Sequence, residues 1–176
     1  PLVLIDQSQA NTFYPNTSSH APPSGSFIPY AAYPSYPEYV AIMRGLANRY
    51  PDHCTLERWG TLPSGRQILA LRVTDLGASN QARPQVLCSA TMHGDETAGY
   101  WLLLKLAEHL ITTNPGNILK DLDIFINPLA NPDGAFRRGN ENLRSATRGN
   151  AANVDLNRNY PDPDDGPHTD GHDYQP

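Results

Sequence analysis

The sequence predicts an α/β fold in which helices cover a mixed β-sheet. Residues 54–59 and 67–73 are strand-like segments joined by a turn at 60–65, and the second segment alternates with the strand period of two. Residues 85–126 then contain a strand, a helix and a strand in succession. A hairpin followed by such a unit is typical of a mixed sheet covered by helices.

Local signals bound the individual elements. The first helix is predicted to open within 34–38, where proline, serine and glutamate occur together, and to end at Pro51, because proline cannot continue a helix cheaply. Its apolar stripe consists of Tyr39, Val40, Met43, Leu46 and Ala47. Further along, 85–88 and 122–126 are predicted strands, 97–111 is a predicted helix, and 114–116 interrupts the chain after that helix.

Cysteine and tryptophan positions give expectations about the core. Cys54 and Cys88 are the two cysteines, and both lie in apolar, strand-like contexts. Two cysteines are too few for a fold built on disulfides, so buried free thiols are favoured over a mutual disulfide. Trp59 and Trp101 are expected to lie in the core.

The two ends of the chain differ from its middle. Residues 1–32 are rich in Pro, Ser and Tyr without periodicity, and we expect an irregular extension there, followed by one domain over 33–176. From 131 onward the chain is polar with no long periodic element, and a loop of this length is usually functional. The net charge of −5 argues against a nucleic-acid partner, and no apolar run is long enough to span a membrane.

His93 and Glu96 are the first candidate site residues. They follow the apolar run 85–88, at the junction between a predicted strand and a predicted helix, with spacing that lets both side chains point the same way. One nitrogen and one oxygen donor so placed can bind zinc, which needs further ligands from elsewhere. Taken alone, the pair is equally compatible with an ordinary helix start, where a glutamate is favoured by the helix dipole.

Two further motifs lie downstream. Residues 131–134 read Asn-Pro-Asp-Gly after a strand, which indicates a turn with no chemistry of its own. Residues 148–161 place Arg148 and Arg158 among several amides. Guanidinium groups bind carboxylates in a bidentate manner, although this segment taken alone favours a solvated basic loop.

Together these motifs resemble the zinc metallocarboxypeptidases of the carboxypeptidase A type, closest to the branch of carboxypeptidases D, E and N. The shared features are a His-x-x-Glu pair, an Asn-Pro-Asp-Gly turn, and an arginine nine residues before the Asn of Asp-Leu-Asn-Arg-Asn, over about 33–160. The resemblance implies a three-layer αβα sandwich with a mixed, mostly parallel sheet. It also implies a hydrolase that uses one zinc ion to release residues from the C-termini of peptides or proteins.

The resemblance assigns roles residue by residue. His93 and Glu96 correspond to two of three zinc ligands, and Asp155 to the carboxylate that hydrogen-bonds the first ligand histidine. Arg148 corresponds to the catalytic arginine that binds the scissile carbonyl and stabilises the oxyanion. Asn157 and Arg158 correspond to the pair that binds the terminal carboxylate of the substrate. An exopeptidase must recognise a free carboxylate, and an amide beside a guanidinium suits that task.

The sequence departs from the family in its later part. The third ligand histidine and the general-base glutamate of the family lie much further along the domain. His168 and His172 are interpreted as loop residues rather than ligands, and neither Asp95 nor Glu141 has the surroundings expected of the base. We therefore expect 33–176 to be the N-terminal part of a catalytic domain, and the isolated chain to be inactive.

Other functions stay open on the sequence alone. A cell-wall peptide amidase or an N-acylamino-acid deacylase would keep the fold and the metal, and a non-catalytic domain that binds carboxylates would keep only the pocket. The family branch and the Pro-rich start favour an extracytoplasmic location, secreted or periplasmic. No basic flank or long apolar core indicates a signal peptide in the first residues.

Overall fold

The computed structural model describes residue 28 and residues 32–78 and 82–160. The expected N-terminal extension lies outside these residues except at positions 28 and 32, and so do His168 and His172. The elements in chain order are α1 (Tyr36–Arg49), β1 (Cys54–Thr61), β2 (Gln67–Val73), β3 (Gln85–Ser89), α2 (Ala98–Thr113), β4 (Asp123–Asn127) and α3 (Pro132–Ala135). Two 3₁₀ segments, Pro115–Lys120 and Leu156–Arg158, complete them.

The four described strands form one mixed sheet, as the sequence predicts. Their spatial order is β1-β2-β4-β3. β1 with β2 and β2 with β4 pair antiparallel, whereas β3 and β4 pair parallel through the connection that contains α2. The parallel pair brings the carboxyl ends of β3 and β4 to the same edge of the sheet, and the two loops that follow these strands therefore meet there.

The predicted helix boundaries are confirmed to within a few residues because local capping sets them. Ser35 accepts a hydrogen bond from the Glu38 amide, and Glu38 accepts one from the Ser35 amide at 2.8 Å, which is a capping box at the start of α1. α2 ends at Asn114, whose φ of 37° is left-handed and whose amide bonds back to Leu110. Asparagine tolerates this conformation, which closes many helices.

The helices α1 and α2 pack side by side on one face of the sheet. Tyr39 of α1 and Tyr100 of α2 meet edge to face with ring centroids 5.6 Å apart. Both rings are fully buried, and the Tyr39 hydroxyl donates to the Leu69 carbonyl of β2. Burial raises the pKa of both phenols, so they stay neutral core residues. The strand residues that complete this core include Leu69, Leu71, Val73, Ile124 and Ile126.

The opposite face of the sheet overturns one expectation. Trp59 is 46% exposed, so its assignment to the core is wrong. Its ring contacts Phe125 across the outer face, and its Nε1 donates to Glu57 at 2.9 Å. Strand alternation predicted two faces but not which of them the helices cover. Trp101 is partly buried against the core, and Cys54 and Cys88 are buried free thiols, as expected.

Candidate functional site

The candidate site lies in the loop between β3 and α2. Pairing continues past the strand ends, because the Ala90 amide donates to Asn127 at 2.9 Å and the Asn131 amide donates to Thr91 at 3.0 Å. Thr91 is fully buried and has a φ of 58°. A β-branched residue in this left-handed conformation is strained and persists only where its surroundings hold it. The strain lies two residues before His93.

His93 is bonded at both ring nitrogens. Its side chain is buried, with Nδ1 2.9 Å from Glu96 Oε1 and Nε2 3.2 Å from Asp155 Oδ1. Glu96 lies in the connecting loop rather than in the helix, because α2 begins only at Ala98. Glu96 is therefore not a residue of the first helical turn, as the alternative interpretation required.

Arg148 and Asp155 extend this cluster. Arg148 Nε donates to Asp155 Oδ2 at 2.7 Å, and Arg148 Nη1 lies 3.4 Å from Glu96 Oε1. The hydrogen bond from Arg148 lowers the pKa of Asp155, with the Asn157 amide adding to the effect, and the same bond raises the pKa of Arg148. Asp155 therefore stays ionised while it contacts both the imidazole and the guanidinium.

Asn157 and Arg158 follow Asp155 after one intervening residue. The Asn157 amide donates to Asp155 Oδ1 at 3.0 Å, the oxygen that also contacts His93. Both side chains are exposed, and Arg158 Nη1 reaches the Asn157 carbonyl at 3.1 Å. The Tyr160 hydroxyl lies 3.5 Å from Met92 Sδ, which brings the end of this segment back to the residue before His93.

The loop that carries Arg148 and Asp155 is fixed by Arg137, which sequence reasoning did not single out. Its guanidinium donates to the carbonyls of Asn150 and Ala151 and to Asn153 Oδ1, at 3.0, 2.8 and 2.9 Å. No local pattern marks Arg137, since its partners lie 13 to 16 residues away. The one sequence feature that could have indicated a role for Arg137 is its position in the polar segment after residue 131.

The Asn-Pro-Asp-Gly turn also differs from a plain turn. It forms the start of the short helix α3, and Asp133 is buried, accepting from Arg66 Nη1 at 2.7 Å and Ser64 Oγ at 2.6 Å. This pairing ties the hairpin turn between β1 and β2 to the site. A buried carboxylate is stable there because a guanidinium and a hydroxyl satisfy it.

The donor set fits part of a zinc site. His93 Nδ1 and Glu96 Oε1 face each other at a distance that two ligands of one ion can adopt, and the contact of Nε2 with Asp155 would fix the tautomer that leaves Nδ1 free to bind. Within 32–78 and 82–160 no three His, Cys, Asp or Glu side chains form a metal-binding group. Asp95 and Glu141, which were considered above as the general base, are exposed.

Comparisons with known proteins find similar sequences. A family profile described as zinc carboxypeptidase matches residues 39–175. Carboxypeptidase D of Drosophila melanogaster is 35% identical over 147 residues, which cover 78% of this chain and 10% of that protein. The carboxypeptidase N catalytic chain of Rattus norvegicus is 33% identical over 138 residues, which cover 72% of this chain and 30% of that protein.

A solved structure is similar in fold. Carboxypeptidase A from Helicoverpa armigera matches with a TM-score of 0.60 and 27% identity, covering 72% of this chain and 33% of that one. This chain therefore spans between about a tenth and a third of the length of these three relatives. Within the part of the chain that the structure describes, no helix is both long and apolar enough to cross a membrane.

Proposed function

This chain belongs to the zinc carboxypeptidase family, and from that premise we propose that the complete natural polypeptide hydrolyses the C-terminal peptide bond of peptides or proteins. The observation that carries the proposal is the arrangement around His93, whose two nitrogens face Glu96 and Asp155. Such an imidazole, buried and oriented by a carboxylate, is what a catalytic metal centre requires of a ligand.

In this proposal His93 Nδ1 and Glu96 hold the zinc ion. The chemistry that zinc supplies when bound is Lewis-acid activation of water and polarisation of the scissile carbonyl. A catalytic zinc site has three protein ligands, so the third ligand and the general base come from outside the described residues. We accordingly expect the isolated chain of 176 residues to release no C-terminal residues.

Arg148 is proposed to stabilise the oxyanion that develops on the scissile carbonyl. Asp155 accepts from Nε at 2.7 Å, and this bond orients the guanidinium next to Glu96. A donor that is already oriented needs little reorganisation as charge develops on the substrate, which is the basis of oxyanion stabilisation.

Asn157 and Arg158 are proposed to bind the terminal carboxylate. Their side chains are exposed, while the Asn157 amide is bonded to the same Asp155 oxygen as His93, so the pair begins at the edge of the cluster. A guanidinium with a neighbouring amide can bind both oxygens of a carboxylate, which restricts cleavage to chain ends.

The test uses the complete natural polypeptide and two peptides that differ only in a free or an amidated C-terminus. We expect release from the free acid alone, loss of activity on zinc chelation, and recovery when zinc is returned. Arg158→Ala is expected to raise KM for the free acid about 10- to 100-fold, the effect of one charge-assisted hydrogen bond. Arg44→Ala, at an exposed position of α1, is the charge-matched control.

Zinc content tests the metal ligands separately. His93→Ala is expected to lose the metal, whereas the control His109→Ala, exposed on α2, is expected to keep about one zinc per site. Cleavage of cell-wall peptides or N-acylamino acids in place of ordinary peptides would favour the amidase or deacylase. Absence of both metal and turnover would favour a non-catalytic carboxylate-binding domain. An extracytoplasmic location stays a prediction.

A further inference from the structure

We infer that Asn131 is a positioning residue that fixes the separation between the loop carrying His93 and the loop carrying Arg148. The catalytic consequence of this role rests on the function proposed above, whereas the role itself is a property of the folded chain. Sequence reasoning assigned the turn that begins at Asn131 no chemistry.

The side chain of Asn131 bonds both loops at once. It is only 2% exposed. Its Nδ2 lies 3.1 Å from the carbonyl of Met92, the residue before His93, and 3.5 Å from the carbonyl of Arg148. Its Oδ1 accepts from the Gly134 amide at 2.9 Å, which caps α3.

Capping alone does not require asparagine at this position. A cap needs one acceptor, and aspartate or serine supplies it as well. The two N–H donors are the property that only the amide adds, and both point at carbonyls of the candidate site. The Oδ1 acceptor of Asn131 therefore serves the local cap of α3, whereas its Nδ2 donors serve the contacts with the two site loops.

The backbone around Asn131 leaves the two loops little freedom. The Gly94 amide donates to the Arg148 carbonyl at 3.3 Å, and the Thr147 amide donates to Gly134 at 2.9 Å. A Cβ placed on Gly94 would lie 2.2 Å from the Gly134 carbonyl carbon. The turn therefore packs against both loops, which also bond each other directly, and Asn131 bonds the turn to each of them.

Catalysis is sensitive to such a separation, because displacement of about 1 Å from the productive geometry can cost a hundredfold in rate. We expect loss of the two donors to let the Arg148 loop move relative to His93. The predicted result is a fall in kcat of about 10- to 100-fold with a smaller change in KM, since Asn157 and Arg158 are untouched.

The experiment compares Asn131→Asp and Asn131→Ser in the complete polypeptide. Both variants keep a capping acceptor and remove the two N–H donors of the amide. Asn131→Asp preserves the shape and, when ionised, has no donor, whereas Asn131→Ser avoids a new charge and keeps a single O–H donor on a shorter side chain. The matched control is Asn127→Asp. Asn127 is also 2% exposed and donates to a carbonyl, that of Leu69 at 2.7 Å, but its side chain bonds neither site loop.

Two readouts separate positioning from general stability. Amide hydrogen exchange on the metal-free protein is expected to accelerate about tenfold or more at Gly94 and Thr147 in the Asn131 variants, and not in the Asn127 variant. In a double-mutant cycle with Arg148→Ala, the kcat effect of Asn131→Ser is expected to shrink strongly, whereas that of Asn127→Asp should stay additive.

Unchanged exchange at Gly94 and Thr147 in both Asn131 variants would overturn the inference, and so would full additivity with Arg148→Ala. If the wild-type polypeptide releases no C-terminal residue, the proposed function fails, but the exchange experiment still decides the role of Asn131. The two failures are therefore distinguishable.

Discussion

Gly94→Ala tests how tightly the site loops are packed. The added Cβ would lie 2.2 Å from the Gly134 carbonyl carbon, 2.4 Å from the Ala135 nitrogen and 2.5 Å from the Thr147 oxygen. All three are backbone atoms, which cannot rotate away as a side chain can. Since carbon atoms pack best at about 3.5–4.0 Å, the two loops must separate by about 1 Å or more.

The cost of Gly94→Ala can be bounded from these contacts. Overpacking in a rigid environment costs about 1–3 kcal/mol. Separation of the loops also weakens the bonds from Gly94 to Arg148 and from Thr147 to Gly134, each of which contributes about 0.5–1.5 kcal/mol. We therefore expect the free energy of unfolding to fall by about 2–6 kcal/mol, or the Tm by about 4–24 °C at about 2–4 °C per kcal/mol for a domain of 150–250 residues.

The assay is thermal and urea denaturation of the complete polypeptide, with Gly60→Ala as the control. That change adds the same methyl group in β1, where the nearest atom is a flexible side-chain carbon of Ile68 at 3.9 Å. The control should change stability by no more than about 1 kcal/mol. A Gly94→Ala protein as stable as the Gly60→Ala protein would refute the packing described for the site.

Three further predictions concern the scaffold. Arg66→Ala should lower the free energy of unfolding by about 3–5 kcal/mol, because it leaves the Asp133 carboxylate buried without its cation. The control Arg44→Ala, at an exposed position, should change that free energy by less than about 0.5 kcal/mol. Urea denaturation measures both. Burial opposes the ionisation of Asp123, but hydrogen bonds from Thr74 and Arg72 and the charges of Arg72 and Arg83 outweigh it and lower its pKa. A lowered folded-state pKa adds stability that is present above the ordinary aspartate pKa and is lost as pH falls through the folded value. The urea midpoint of the wild-type protein should therefore decline below about pH 4. The midpoint of Asp123→Asn should decline less steeply over the same range. Burial raises the pKa of Cys54 to about 11 and also raises the pKa of Cys88. A thiol reagent at pH 8 should therefore label both cysteines slowly in the native protein and fast after unfolding. Rapid labelling of the native protein would contradict their burial.

Much of the fold follows from short-range signals. The capping residues Ser35 and Glu38 lie three positions apart, and Pro51 lies two residues after the end of α1, so that helix could be bounded without a structure. The second strand of the hairpin was equally predictable from its period. The exposure of Trp59 was not, because alternation separates two faces without telling which one the helices cover.

The candidate site divides in the same way. Its chemistry was predicted from motifs, since His93 and Glu96 are neighbours in sequence and the segment around Asp155 carries its own pattern. The roles of Arg66, Arg137 and Asn131 gave no such signal. Arg66 meets Asp133 across 67 residues, and Asn131 meets Met92 across 39. Residues that bond at such separations share no periodicity that a sequence pattern can reveal.

The sequence by itself determined the mixed α/β character and the helix bounds, and it singled out His93 and Glu96 as the two proposed metal donors. Only the tertiary structure decided that His93 lies between Glu96 and Asp155, that Gly94 meets Gly134, and that one buried amide joins both loops. Local structure depends on propensities and caps within a few residues, whereas these contacts exist only where the parallel pairing of β3 with β4 brings distant loops to one edge of the sheet.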